Sequence, residues 1–182
     1  MDKFYLQKDR ALLLIIDIQE KLFVAMAHQD RLLKQTNILL QVARTLNLPV
    51  IVTEQNPRGL GPTLESVDLT GLDLAKFEKM TFTAATPELL AELKRRGRDQ
   101  IIVTGIEAHV CVFQTVRDLQ REGYQCYLVA DAVDSRTDLN CQTAINLLRE
   151  MGVVITSTEL VTFDLMHIAG TPEFKQILRW VK

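Results

Sequence analysis

Five short runs of consecutive apolar residues, at 12–16, 50–52, 101–103, 127–130 and 153–155, recur along the chain. A strand that faces water on one side alternates apolar and polar positions, whereas unbroken apolarity marks a strand covered on both faces. Between these runs the apolar positions switch to helical spacing. Leu32, Leu33, Thr36, Leu39, Leu40 and Ala43 form one stripe, and Cys141, Ala144, Ile145 and Leu148 form another. Val112, Phe113, Val116 and Leu119 make a third, and Phe174, Ile177, Leu178 and Val181 a fourth near the end of the chain. Two helices carry the same start signal, Thr86-Pro87-Glu88 and Thr171-Pro172-Glu173. In each, Thr can cap, Pro suits the first turn and Glu meets the positive end of the helix dipole. Gly97, Gly123 and Gly152 each precede a new run, where the end of a helix calls for positive φ.

This alternation predicts one domain over residues 1–182. Its fold is α/β and Rossmann-like: an open, mostly parallel sheet of about six strands with helices on both faces. The sixth strand falls at 75–78, a weak candidate inside segment 55–85, which is rich in Gly, Pro and Thr. A connection that long within a compact domain usually carries function. The chain has 182 residues, 47% of them hydrophobic, enough for one sizeable core. Its 21 basic and 23 acidic side chains give a net charge of -2, with no electrostatic footprint for nucleic acid or a membrane surface. The apolar run at 11–16 is too short to span a bilayer or to serve as a signal peptide. Three widely spaced cysteines make no disulfide framework. Together these features predict a cytoplasmic protein.

In open α/β sheets, ligands bind beyond the carboxyl ends of the strands, so the residues just after each run carry the chemistry. Asp17 follows the first run and Asp131 the fourth; each reads equally well as a cap or turn residue. After the third run comes Thr104-Gly105-Ile106-Glu107-Ala108-His109-Val110-Cys111, which opens a helix. On a wheel of about 100° per residue, Cys111 lies off the stripe of Val112, Phe113, Val116 and Leu119. That places it in the first turn, where free N–H groups and the dipole favour a thiolate and could hold an oxyanion. Cys126 and Cys141 read as small buried hydrophobes, so Cys111 is expected to be the most reactive thiol. His109 is too close in sequence to face Cys111 as its base, and His28 and His167 read as solvated or capping residues. Asp17 could accept the thiol proton if a cation balanced the site; Lys76 and Lys79 are the available lysines. The sequence contains no P-loop and no GxGxxG, GxSxG, CxxC or HExxH pattern.

Taken in chain order, Leu14-Ile15-Ile16-Asp17-Ile18-Gln19 with Phe23, then Lys79, then Gly105 to Val112 with Thr115 and Asp118 resemble the isochorismatase-like cysteine hydrolase family. The stretch 53–63, TEQNPRGLGPT, is similar to its isochorismatase domain-containing subgroup. The resemblance covers nearly the whole chain and implies a triad. In it Asp17 takes the thiol proton, Lys79 balances charge and Cys111 attacks an electrophilic carbon, usually an amide carbonyl. It also implies a cis peptide at Ile106–Glu107, the Glu107 N–H facing the oxyanion together with that of Cys111, and a homo-oligomer. The surrounding pocket is expected to draw on Phe23, Gln55, Phe82 and His109. Nicotinamidases of the family carry an Asp-x-His metal motif after the second strand. Here that stretch reads Thr53-Glu54-Gln55-Asn56, so neither a metal nor another cofactor is expected.

Two functions follow. The first is a metal-independent cysteine hydrolase acting on a small amide or related C–N substrate. The second is a catalytically silent fold that serves as an oligomeric binding or interaction module. Intact Asp17, Lys79 and Cys111 favour the enzyme, because a decayed site would have lost one of three mutually dependent residues.

Overall fold

The computed structural model describes residues 2–181. Its strands are β1 (Ala11–Ile16), β2 (Val50–Gln55), β3 (Leu74–Lys79), β4 (Gln100–Gly105), β5 (Gln125–Val133) and β6 (Val154–Thr156). They form one sheet in the order β3-β2-β1-β4-β5-β6, with every pair parallel. The open parallel α/β architecture read from the sequence is therefore the fold. Strand β3 extends the weak candidate by one residue at each end. Its faint signal has a physical cause: β3 is an edge strand whose Leu74, Lys76 and Glu78 face solvent, so it lacks the unbroken apolarity of a central strand.

The helices are α1 (Glu20–Phe23), α2 (Gln29–Leu46), α3 (Pro57–Leu60), α4 (Pro87–Arg96), α5 (Phe113–Arg121), α6 (Asp138–Glu150), α7 (Thr158–Met166) and α8 (Pro172–Val181). Side chains of β1 divide between the two faces of the sheet. Ala11, Leu13 and Ile15 pack with Leu32 and Leu39 of α2, Val161 of α7 and Ile177 of α8. Leu12, Leu14 and Ile16 pack with Leu89 of α4, Val116 of α5 and Leu148 of α6. Full burial of a Leu or Ile side chain is worth ~1.5–3 kcal/mol, so β1 anchors both layers.

Thr86 and Thr171 cap α4 and α8, accepting from Leu89 N–H at 3.4 Å and Phe174 N–H at 3.1 Å. Gly97, Gly123 and Gly152 all have positive φ. Asp131 differs from the sequence reading. Strand β5 runs on to Val133, so Asp131 lies within the strand and caps α7, accepting from Thr158 N–H at 2.8 Å. Asp134, just beyond the strand, accepts from His28 N–H at the start of α2 at 2.6 Å. Both carboxylates meet the positive end of a helix. The His28 ring contacts Asp138 at 2.6 Å, and the His167 ring stacks on Tyr5.

Strand order reverses between β1 and β4, the place where open sheets form a crevice. Gly105 ends β4 opposite Ile16 at φ +126°, and a Cβ there would lie 2.1 Å from the Ile16 carbonyl oxygen. Only glycine allows this approach. Gly105→Ala should therefore destabilise the protein by about 3 kcal/mol or more, combining overpacking with positive-φ strain. Gly97→Ala is the control: it has positive φ but open space around it, and should cost only about 1–2 kcal/mol. Urea unfolding midpoints check this, and equal midpoints for the two variants would contradict it.

Candidate active site

Asp17 stands directly beyond β1 at φ +52°, a conformation Asp tolerates better than most residues. Its N–H donates to the Thr53 carbonyl at 3.2 Å, extending the β1–β2 pairing by one bond. The carboxylate is fully buried and held at both oxygens. Oδ1 accepts from Thr53 Oγ1 at 2.7 Å, and Oδ2 from Lys79 Nζ at 2.6 Å. Lys79 is the last residue of β3 and pairs in register with Gln55, the last residue of β2. Its Nζ donates further to Gln55 Oε1 at 2.9 Å, to the Phe82 carbonyl at 3.0 Å and to the Thr81 carbonyl at 3.3 Å. Parallel register thus sets the ends of β1, β2 and β3 side by side, and their polar residues close on one another.

Cys111 reaches this cluster from the segment after β4, close enough for Asp17 and Lys79 both to act on its thiol. Residues Ala108–Val112 form a π-helical turn in which the Val112 N–H donates to the Glu107 carbonyl at 3.2 Å. The wider turn defeats a wheel built on 3.6 residues per turn. Cys111 is 5% exposed and packs in the apolar layer with Ala108 and Val112, contrary to its place off the stripe. Thr115 Oγ1 donates to the Cys111 carbonyl at 2.6 Å and accepts from Ala84 N–H at 2.8 Å. It therefore ties the cysteine turn to the segment following Lys79.

The thiolate expectation is overturned. Burial pushes the Cys111 thiol up to about 12, the Asp17 charge adds to the rise, and Lys79 opposes both without prevailing. Burial also lifts Cys126 to about 12 and Cys141 to about 11. Neither ionisation nor exposure therefore sets Cys111 apart. Its distinction is a buried carboxylate and a buried ammonium that both act on it.

The expected pocket residues separate. Gln55 is not a lining residue with a free amide: Oε1 accepts from Lys79, and Nε2 donates to the Met80 carbonyl at 2.9 Å. Phe23 is partly buried against the core on the α2 side of the sheet. Phe82 has an exposed ring and contributes its carbonyl to Lys79. His109 pairs through Nδ1 with Ser135 Oγ at 2.9 Å. Ile106 is buried and joined to Glu107 by a cis peptide, and the Glu107 carboxylate pairs with Arg136 Nε at 2.9 Å.

Thr53, Thr115 and Gln19 belong to the motifs that carry the resemblance, but sequence reasoning gave them no role in the site. Gln19 donates to the Gln55 and Gly61 carbonyls and accepts from Gln55 N–H. The available signal was position, since Thr53 and Gln19 are polar residues at the ends of β2 and β1. Glu54 accepts from Thr63 N–H and Oγ1 and pairs with Lys76 at 2.6 Å, which holds its carboxyl below the usual range despite burial. Thr53, Glu54 and Gln55 are thus each engaged by protein groups. Among the described residues no group of three or more His, Cys, Asp and Glu side chains is arranged to hold a metal.

A family model described as the isochorismatase domain matches residues 11–159. The chain is 38% identical over 167 residues to isochorismatase domain-containing protein 1 of Danio rerio, covering 91% of this chain and 59% of that protein. It is 36% identical over 178 residues to the secreted isochorismatase effector Isc1 of Phytophthora sojae, covering 94% and 84%. Among solved structures, one described as MAR1 ribonuclease from Caenorhabditis elegans superposes with a TM-score of 0.91 at 31% identity. That match covers 97% of this chain and 92% of the other.

With its thiol pushed up to about 12, Cys111 should alkylate through a minor thiolate fraction. The rate with iodoacetamide, resolved by peptide mapping, should rise about tenfold per pH unit between pH 7 and 9.5. A plateau inside that window would reveal a low-pKa thiolate and contradict the geometry.

Proposed function

The chain belongs to the isochorismatase family, and on that footing we propose that it is a metal-independent cysteine hydrolase of small amides or related C–N substrates. The observation that carries the proposal is a neutral thiol on which a buried carboxylate and the buried ammonium that balances its charge both act. In this reading Asp17, Lys79 and Cys111 form the triad.

Asp17 removes the thiol proton as sulfur attacks the carbonyl carbon, so proton transfer and C–S bond formation proceed together. The resulting oxyanion is met by the N–H groups of Glu107 and Cys111. Collapse breaks the C–N bond, and the leaving nitrogen takes the proton back from Asp17. Water, deprotonated by Asp17, then cleaves the thioester and releases the acid, with the thiol restored. Lys79 balances the charge of the carboxylate between these transfers. Although Thr53 and Lys79 occupy one lone pair on each oxygen, a carboxylate has about four acceptor positions, so capacity for the thiol proton remains.

The resting centre sums to zero charge, which favours an uncharged reacting group. Lys79 already serves four acceptors, and the net charge of -2 likewise favours a small molecule over a polyanion as substrate. The proposal treats residues 1–182 as one domain acting without a cofactor, as a homo-oligomer in the cytoplasm. Three free thiols support a reducing compartment. No helix among the described residues is long and apolar enough to cross a membrane.

A panel of small amides tests this. Release of ammonia or amine should persist in the presence of a chelator and fall by roughly 10³-fold or more in Cys111→Ala. Hydrolysis unchanged in that variant, or abolished by chelation and restored by zinc, would contradict it.

A further inference from the structure

The Lys79 ammonium lies among more acceptors than it has protons. Asp17 Oδ2, Gln55 Oε1 and the carbonyls of Phe82 and Thr81 all lie within 3.3 Å of an Nζ that carries three N–H bonds. Such a group has no single preferred orientation unless a fixed partner selects one. Asp17, buried and held by Thr53, fixes one N–H. For the other two, Phe82 and Thr81 are poor candidates, because they sit on an exposed stretch: Met80 is 74% and Phe82 54% exposed. Gln55 is a better one. It is buried at the end of β2, and its backbone is pinned from both sides by Gln19, which accepts from Gln55 N–H at 2.7 Å and donates to the Gln55 carbonyl at 3.0 Å.

The Gln55 side chain also has a property no other residue in the cluster shares. One end accepts from Lys79 while the other donates to the Met80 carbonyl. It therefore fixes both the ammonium and the first residue of the segment whose next two carbonyls meet that ammonium. A carboxylate there could accept from Lys79 but would repel the Met80 carbonyl, and an apolar side chain could do neither.

We propose that Gln55 is a positioning residue: it holds the Lys79 ammonium beside Asp17 and Cys111 and clamps segment 80–82 over it. This rests on the proposed role of Lys79 as the charge-balancing member of the triad. Coulomb attraction falls with distance. Freed from Gln55, the ammonium would spend more time toward the exposed carbonyls of Thr81 and Phe82, and less beside the sulfur. Asp17 at the end of β1 and Lys79 at the end of β3 are the charged groups acting on the Cys111 thiol, in opposite directions. Weakening Lys79 leaves Asp17 less opposed, so the thiol becomes harder to ionise.

Iodoacetamide alkylation of Cys111 in the full chain, followed by peptide mapping from pH 7 to 9.5, reads this without any substrate. Gln55→Met, which keeps length and removes both bonds, should slow alkylation several-fold across the window. The change should share the sense of Lys79→Met and be smaller. Gln55→Asn, whose amide is too short to span both partners, should fall between wild type and Gln55→Met, and it serves if the methionine variant does not fold. A purely structural Gln55 gives the opposite sign, because loosening the site exposes a buried thiol and speeds alkylation. Rates equal to or faster than wild type would overturn the proposal. The two proposals fail separately. Wild type inactive on every amide, with slowed alkylation in the variants, removes the hydrolase reading alone; active wild type with unchanged alkylation removes the role of Gln55 alone.

Discussion

The carboxyl edge of the sheet is organised by one contact, Lys79 Nζ on Asp17 Oδ2 at 2.6 Å, with side chains 2% and 0% exposed. Two charges taken out of water at that depth persist only if they meet each other and their remaining valences are filled. Here they are filled by Thr53 on the carboxylate, and by Gln55 and two backbone carbonyls on the ammonium. Removing either charge strands the other, a loss of about 3–5 kcal/mol for buried pairs. The pair is thus a constraint on the fold as much as a device for chemistry. It requires the ends of β1, β2 and β3 to lie close together. Strand β1 ends at Ile16 opposite Thr53, two residues short of the last β2–β3 pair, Gln55 with Lys79, and the Lys79 side chain reaches back across that offset to Asp17.

Cys111 is matched to this pair by charge as well as by position. A neutral thiol beside a neutral ion pair keeps the buried centre electrically balanced, whereas a resting thiolate would add an uncompensated charge. Burial and Asp17 together outweigh Lys79, and the thiol is pushed up to about 12. The site therefore suits a base that acts during attack rather than a nucleophile ionised in advance. It also limits oxidation, since susceptibility to oxidants follows thiolate character and exposure.

Much of this was legible from residue order because continuous apolarity is a strong signal. The central strands follow from it, and with them the positions just beyond β1 and β4. Where the reading failed, a longer-range effect overrode a local one. Composition alone does not separate Lys79 from Lys76; the resemblance singled Lys79 out, and only the fold shows the end of β3 carrying it inward onto Asp17. Gln55 was expected to line the pocket. Only the register with Lys79 shows that its amide is already engaged. Cys111 fell off the helical wheel because its turn is π-helical, and Asp131 fell outside β5 because that strand runs three residues past the apolar run. Local periodicity cannot report either feature.

Asp17→Asn offers the most direct test of whether the buried carboxylate is the proton acceptor. The substitution is nearly isosteric but strands the Lys79 ammonium, so alkylation and turnover are compared once the urea midpoint and continued protection of Cys126 show that the variant is folded. Removing the repelling charge should speed alkylation of Cys111, because Lys79 then acts on the thiol unopposed. Loss of the base should at the same time cut amide turnover by roughly 10²–10⁴-fold. Faster alkylation with turnover lost is the predicted result; turnover retained at near wild-type level, with alkylation unchanged or slower, would contradict it.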